Sequence, residues 1–166
     1  MLLIERRSKQ SWNKTVALVI DTNILLYAAN EACPEHSDCR RFLIGCADGC
    51  DTCFLPENVI YEFLRVGTHP RVFPKPLRAS EALKFLDALI STGNFKILGA
   101  TQNHWKSLQA LVRELGQPAG NFFFDVHTVA LMREHGIRRI ASADLDFAKF
   151  PGLDVVNPLN RRDLRD

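Results

Sequence analysis

The chain has 166 residues, of which 46% are hydrophobic and 24% charged, and its formal net charge at pH 7 is +2. This length and composition fit one globular domain, and the near balance of charge excludes a uniformly basic surface for binding nucleic acid. The apolar runs are too short for a membrane span, and the N-terminal one is too short for a secretory signal, so we expect a cytoplasmic protein without a membrane partner.

Short apolar runs alternate with amphipathic segments from residue 16 onward. Strands are predicted at the short runs, residues 16–20, 52–55, 95–98, 138–142 and 153–156. Helices are predicted between them, at residues 21–30, 34–49, 56–68, 80–92, 101–116 and 121–136. This alternation is typical of a parallel sheet covered on both faces by right-handed crossovers. The sequence therefore predicts an α/β domain of three layers, α/β/α, with a central parallel sheet of about five strands.

The same pattern sets the expected domain boundaries. The domain is predicted to span residues 16–159, between an N-terminal extension at 1–15 and a basic C-terminal tail at 160–166. Within the domain, Pro34 is expected near the first turn of its helix and Pro56 at the start of its helix, where a missing N–H is not a loss. Ser80 and Asn121 are expected to cap helices, because their side-chain oxygens can accept hydrogen bonds from first-turn N–H groups.

Five cysteines lie close together in the first third of the chain, at residues 33, 39, 46, 50 and 53. The C-x3-C-x2-C spacing of the last three matches an iron–sulfur signature, but the enzymes that carry it need a much longer barrel domain. A zinc site lacks a clear fourth ligand, with His36 as the nearest candidate. Because disulfides are rare in the cytosol, we expect free thiols.

Four acidic residues are expected to meet at one edge of the sheet. In open parallel sheets, ligands bind beyond the carboxyl ends of the strands. Asp21 directly follows the first predicted strand, and Asp144 comes two residues after the fourth. Glu62 and Asp125 fall in early turns of helices that begin near the same edge. Four carboxylates from distant segments can thus converge on one crevice.

Such a convergence has a chemical consequence. Two carboxylates about 4 Å apart repel by about 4 kcal/mol at an effective dielectric constant of about 20. Several such pairs rival the whole stability of a domain, on the order of 5–15 kcal/mol. The carboxylates must therefore take up protons, bind a basic partner or hold a cation, and oxygen ligands suit Mg²⁺ or Mn²⁺. Metal-dependent hydrolysis of a phosphodiester is the predicted chemistry.

Four motifs carry a family resemblance, in the order "VIDTNILL", "VIYEFLR", "FFFDVHTVAL" and "RIASADLDF". Together with the closing "FAKFPGLDVVNPL", they resemble the PIN-domain nucleases, and within them the VapC-type ribonuclease toxins of type II toxin–antitoxin systems. The resemblance implies a PIN-like fold and a Mg²⁺- or Mn²⁺-dependent endoribonuclease that leaves 5′-phosphate and 3′-hydroxyl ends. It also implies an RNA substrate, a small VapB-like antitoxin, and a homodimer or a toxin–antitoxin hetero-oligomer.

The resemblance also assigns roles to individual residues. It implies that four acids bind the metal and activate the attacking water. They are Asp21, Glu62, Asp125 and Asp144. The Asn23 amide and the Ser142 hydroxyl are expected to orient them, and the family often has threonine in place of Ser142. In the "DLD" segment an extended chain would put Asp144 and Asp146 on opposite sides, so we favour Asp144 as the ligand. Asp146 is then expected to support the site or cap a helix.

Basic residues that follow Glu62 are candidates for contacts with RNA phosphates, although a solvated loop is an equal alternative. They are Arg65, Arg71, Lys75 and Arg78.

Other interpretations of the same residues remain open. Asp21 could simply cap the following helix. A haloacid-dehalogenase-like phosphatase would use Asp21 as its nucleophile, but it needs a second acid where this chain has Asn23. A PIN-like module that binds RNA or protein without cutting would have lost one or more of the four acids, and none is missing. A DNA-cleaving relative would carry an extra arch for which the chain has no room.

Overall fold

The computed structural model describes residues 16–160 as five strands, six α-helices and one 3₁₀ helix. The strands are β1 Ala17–Ile20, β2 Thr52–Pro56, β3 Phe95–Leu98, β4 Arg139–Ala141 and β5 Asp154–Val156. The α-helices are α1 Thr22–Ala29, α2 His36–Asp48, α3 Glu57–Gly67, α4 Ala79–Ile90, α5 His104–Leu115 and α6 Phe122–Glu134. The 3₁₀ helix is Leu145–Lys149. The predicted extension at 1–15 and residues 161–166 of the predicted tail lie outside the described residues.

The five strands form one parallel sheet in the order β3-β2-β1-β4-β5, which confirms the predicted sheet. From β1 the chain first builds outward through β2 to β3, and it then returns to add β4 and β5 on the other side. The direction of winding therefore reverses between β1 and β4, where Ile20 lies opposite Ala141. In parallel sheets the crevice beyond the carboxyl ends at such a reversal is where ligands bind.

Alternate residues of β1 face two separate hydrophobic cores, which confirms the predicted three layers. Leu18 and Ile20 pack in the core that the sheet forms with α1, α2, α3 and α4. Val19 points to the opposite face and packs in the core formed with α5, α6 and the 3₁₀ helix. The central strand is thus buried on both faces, which explains why its sequence is a continuous apolar run.

Two predicted helix caps differ from the structure. The Ser80 cap is wrong, because α4 begins at Ala79 and its N-cap is Arg78, whose backbone N–H donates to the Glu81 carboxylate at 2.8 Å. Pro34 lies near the first turn of α2, two residues before His36, as expected. Asn121 does occupy the N-cap of α6, but its side chain makes no capping hydrogen bond.

The other global expectations concern membranes and thiols. Between residues 16 and 160 we find no helix with the length and apolar character needed to cross a bilayer. All five cysteines are free thiols, as predicted.

The C-terminal end of α2 depends on one side chain from a distant loop. The Asn94 amide nitrogen donates to the carbonyl oxygens of Ala47 at 2.7 Å and Gly49 at 2.9 Å. The last turn of α2 has no basic residue to serve its free carbonyls. We expect Asn94→Ala to lower the free energy of unfolding by about 1–3 kcal/mol, because those carbonyls lose their donor. Urea denaturation measures the loss.

The control for this change is Asn94→Asp, which keeps the size of the side chain and replaces the donor by a negative charge. Because that charge faces helix carbonyls at the negative end of the helix dipole, the aspartate variant should be less stable than the alanine variant at pH 7. An aspartate variant as stable as the original protein would contradict the role assigned to Asn94.

Candidate active site

One open pocket of about 650 Å³ lies at the carboxyl edge of the sheet, at the reversal between β1 and β4. All four acids that the sequence singled out line it, and each comes from a different segment. They are Asp21, Glu62, Asp125 and Asp144, and Asp146 joins them. The topology therefore brings five carboxylates into one crevice, on a scaffold of helix starts and strand ends.

Asp21 is the most buried of these acids, with 7% of its surface exposed. It follows β1 as the N-cap of α1, and its Oδ1 accepts a hydrogen bond from the Thr22 N–H at 2.7 Å. Its Oδ2 accepts from the Ser142 hydroxyl and from the Asn23 amide, both at 2.6 Å. Capping and site formation thus coexist in this residue.

Burial has the largest effect on the pKa of Asp21, which is raised to about 6. The hydrogen bonds from Ser142 and Thr22 act in the opposite direction, and the nearby charges of Glu62 and Asp144 add to the rise. Near neutral pH this carboxylate is ionised, but its burial makes the negative charge unfavourable. A nearby cation would therefore stabilise it.

Glu62 reaches the pocket from α3 and is fixed by a residue that the sequence analysis missed. The Thr22 hydroxyl donates to its Oε2 at 2.8 Å, and Arg65 lies 3.6 Å from its Oε1. Thr22 stands next to Asp21 in the chain, but no spacing rule connects it with a side chain forty residues away. Only the packing of α1 beside α3 creates this contact.

Asp125 lies in the first turn of α6 and is half-buried. Burial first, and then the charges of Asp21, Asp144, Asp146 and Glu62, raise its pKa to about 7. Within residues 16–160 no hydrogen bond offsets these effects. Asp125 is therefore the carboxylate of the pocket that is most in need of a positive partner.

Asp144 and Asp146 lie on the same side of the chain, so the extended geometry expected for "DLD" is wrong. Asp144 is the N-cap of the 3₁₀ helix, and its Oδ1 accepts the Asp146 N–H at 2.9 Å. Aspartate readily forms such a local turn, because its short side chain reaches the backbone two residues ahead. Asp144 is thus the cap, and Asp146 turns toward the pocket, where it also pairs with Lys149 at 2.6 Å.

Three of the carboxylates are close enough to share one ion. Asp125, Asp144 and Asp146 each offer an oxygen atom, and these atoms lie within 4.8 Å of one another. Like charges this close to one another repel. Hard oxygen ligands of high negative charge are the donors that Mg²⁺ and Mn²⁺ prefer, so the residues present fit a divalent cation.

Ser142 and Asn23 link the two central strands just behind these acids. Besides binding Asp21, the Ser142 oxygen accepts the Asp144 N–H at 2.9 Å and the Asn23 amide at 3.1 Å. The Asn23 carbonyl oxygen accepts the Ala143 N–H at 3.2 Å. These contacts hold the ends of β1 and β4 together and fix Asp21 relative to Asp144.

The four basic residues proposed from the sequence are not together. Arg65 lines the pocket, beside Glu62. Arg78 is exposed and paired with Glu81 at 2.7 Å, at the start of α4. Arg71 and Lys75 are exposed in the segment between α3 and α4 and do not line the pocket. Among these four residues, only Arg65 lies where it could contact a molecule bound in the acidic pocket.

A family model for the PIN domain matches residues 18–153 of the chain. The chain belongs to the PIN-domain family. Its curated relatives include ribonuclease VapC48 of Mycobacterium tuberculosis, which is 31% identical over 140 residues, 84% of this chain and 96% of the relative. Ribonuclease VapC43 of the same organism is 32% identical over 143 residues, 86% of this chain and 96% of the relative.

Solved PIN-type structures share the fold of this chain. The VapBC2 complex of Rickettsia felis, bound to a DNA fragment from its promoter, matches with a TM-score of 0.61 and 17% identity, over 84% of this chain and 97% of that chain. VapC20 of Mycobacterium tuberculosis, described as a toxin that cleaves the sarcin–ricin loop, matches with a TM-score of 0.58 and 21% identity. That match covers 79% of this chain and 92% of VapC20. These likenesses confirm the three-layer PIN-like architecture.

Proposed function

We propose that this PIN-domain protein is a metal-dependent endoribonuclease, the toxin of a VapC-type toxin–antitoxin pair. The observation that carries the proposal is the carboxylate group of Asp125, Asp144 and Asp146, whose mutual repulsion a divalent cation relieves. The kinship with VapC ribonucleases at 30% identity or more supports RNA as the substrate. The domain that acts is residues 16–159, and free thiols together with an RNA substrate favour the cytoplasm as its location.

In this proposal the chain's own residues divide the work. Asp125, Asp144 and Asp146 would hold Mg²⁺ or Mn²⁺, and Asp21 has one lone pair of Oδ1 left to contribute after its bond from Thr22. When bound, the ion supplies an acidified water and neutralises charge on the phosphate. Glu62 is positioned by Thr22, and Arg65 can neutralise a phosphate oxygen at the pocket.

The proposed partner is a small VapB-like antitoxin that blocks the pocket. The names of the curated relatives, and the description of the Rickettsia felis match as a VapBC complex, support this assignment. A homodimer or a toxin–antitoxin hetero-oligomer is the proposed assembly. An antitoxin would need to cover the carboxylates or supply a basic side chain to them.

The test is cleavage of a labelled RNA by the purified protein with Mn²⁺ and with EDTA. We expect cleavage with Mn²⁺ alone, and 5′-phosphate and 3′-hydroxyl ends on the products. The double variant Asp21→Asn, Asp125→Asn should be inactive, and it serves as the blank for contaminating ribonucleases. Cleavage that survives EDTA, or that persists unchanged in the double variant, would overturn the proposal.

Ser142→Ala is expected to shift the pH dependence of this cleavage. The Ser142 hydroxyl bond lowers the pKa of Asp21, so its loss should move that pKa further above 6. Because Asp21 must be ionised to act, the acid limb of the pH–rate profile should move to higher pH. A hydrogen bond to a charged group contributes about as much free energy as a shift of one pKa unit, so we expect a displacement of about one pH unit. Ser142→Thr keeps the hydroxyl and should keep the limb in place. A limb that stays put in the alanine variant would contradict this role.

A further inference from the structure

Large apolar side chains are exposed next in sequence to two of the acidic residues that line the pocket. Phe124 lines the pocket directly and is 50% exposed, although it immediately precedes Asp125. Leu145 follows Asp144 and is 84% exposed. An isolated exposed apolar residue is common on protein surfaces, but here the phenylalanine lines the same pocket as the carboxylates.

The phenylalanine run "FFFD" divides between the core and the pocket. Phe122 is anchored, since its ring stacks on Phe150 with 5.2 Å between ring centroids. One and two residues later, Phe123 and Phe124 turn outward on the first turn of α6. The anchored ring fixes the start of this helix, and Phe124 lines the pocket from the same turn.

Charge alone gives this pocket little affinity for RNA. Among the described residues that line it, five are acidic and Arg65 is the only basic one. Arg65 faces Glu62 at 3.6 Å, and the nearby Lys149 is paired with Asp146 at 2.6 Å. RNA-binding surfaces usually gain affinity from cations that contact phosphates, and such contacts are scarce here. A contact with a base would add affinity beyond that supplied by the bound ion and Arg65.

We propose that Phe124 stacks on a nucleobase next to the scissile phosphate and so contributes a base contact to substrate binding. The inference rests on the proposed nuclease function and names a residue that contacts its substrate. An aromatic side chain can stack on any base, but only when that base is free of its own helical neighbours. Duplex RNA would keep its bases away from Phe124 while its phosphates met the acidic residues.

The test measures cleavage of a single-stranded RNA by the full chain and by Phe124→Ala. The loss of base–aromatic stacking corresponds to a roughly 5- to 150-fold loss of affinity. We therefore expect kcat/KM of Phe124→Ala to decrease by a factor in that range, mainly because KM increases. Phe124→Tyr keeps the ring and should stay within about 3-fold of the original protein. Trp105→Ala removes another exposed aromatic residue, one outside the pocket, and should leave cleavage unchanged.

A substrate change shows whether Phe124 contacts a base. The same RNA with one abasic nucleotide beside the mapped cleavage position should be cut more slowly by the original protein. Phe124→Ala should be insensitive to that missing base, because the two changes remove the same contact. Additive losses, or duplex RNA cut as fast as the single strand, would overturn the inference while leaving the nuclease function intact.

A binding readout separates stacking from chemistry. In Phe124→Trp, single-stranded RNA should quench the added tryptophan fluorescence, and the matched duplex should not. No added quenching would overturn the proposal even if the protein cleaves RNA. A Phe124→Ala variant that cuts RNA normally and loses only antitoxin inhibition would also overturn it and assign this face to the protein partner. Absence of any metal-dependent cleavage by the original protein would instead reject the nuclease function itself.

Discussion

Asp125→Asn is expected to lower metal-dependent RNA cleavage by roughly 10³-fold or more and, at the same time, to make the metal-free protein more stable. The loss of activity follows because Asp125 is one of three carboxylates placed around a single cation. Such a loss corresponds to about 4 kcal/mol of transition-state stabilisation, which is within the contribution of a bound metal.

The gain in stability follows from the sign of the Asp125 pKa shift. Burial and neighbouring charges raise the pKa of this carboxyl from 3.8 to about 7. Above pH 7 the folded protein must therefore hold a charge that the unfolded chain carries freely, and asparagine removes this penalty. Because Asp125 is only half-buried, solvent screening reduces the gain to about 1–2 kcal/mol. The melting temperature should rise by about 3–6 °C.

Thermal unfolding at pH 8, in EDTA and in Mn²⁺, measures the change in stability, and RNA cleavage with Mn²⁺ measures the loss of activity. Mn²⁺ should stabilise the original protein and have little effect on Asp125→Asn. The matched control is Asp87→Asn, which neutralises an exposed acid of α4 outside the pocket. It should change neither the melting temperature in EDTA nor the cleavage rate. A less stable Asp125→Asn protein in EDTA would contradict the view that these charges repel.

The sequence was sufficient to predict the sheet and the crevice, because both follow from short-range patterns. The run at residues 16–20 is apolar on both faces because β1 is central, and Asp21 directly after it must lie at the carboxyl edge. The same logic placed Asp144 after β4. These expectations depend on the alternation of elements and on a topological rule, and neither requires knowledge of side-chain conformations.

The details of the site depend on local turns and on distant contacts, which the sequence does not specify. An extended chain would give Asp146 only a supporting role, but the Asp144 side chain accepts a hydrogen bond from the Asp146 N–H and bends the chain. The Thr22–Glu62 bond requires α1 beside α3, and no local pattern reports that packing. The ligand assignments of Asp21 and Glu62 therefore remain predictions.

In EDTA, the free energy of unfolding is expected to fall by about 2–4 kcal/mol as the pH rises from 5 to 8. Asp21 and Asp125 have raised pKa values in the folded protein, about 6 and about 7 against 3.8 for each ordinary carboxyl. The stabilisation from such groups is fully present below about pH 4 and is lost as the pH rises through the folded-state values. Each one-unit shift corresponds to about 1.4 kcal/mol, reduced here because the two charges interact and Asp125 is partly solvated.

Other carboxyls limit the gain on the acid side. Hydrogen bonds from Thr101 and His104 outweigh the burial of Glu134 and lower the pKa of that carboxyl. Its stabilisation is lost when the pH falls below the ordinary range, so the metal-free protein should be most stable near pH 5.

Urea denaturation between pH 4 and 8 measures this profile in EDTA and in Mn²⁺. The double variant Asp21→Asn, Asp125→Asn should lose most of the decline between pH 5 and 8, because both groups with raised pKa values are gone. Mn²⁺ should also remove the decline in the original protein, since a cation favours the ionised carboxylates that pH 8 produces. If stability in EDTA instead rose steadily from pH 5 to 8, the carboxylates would not be held together against their repulsion, and the reason for a metal at this edge of the sheet would disappear.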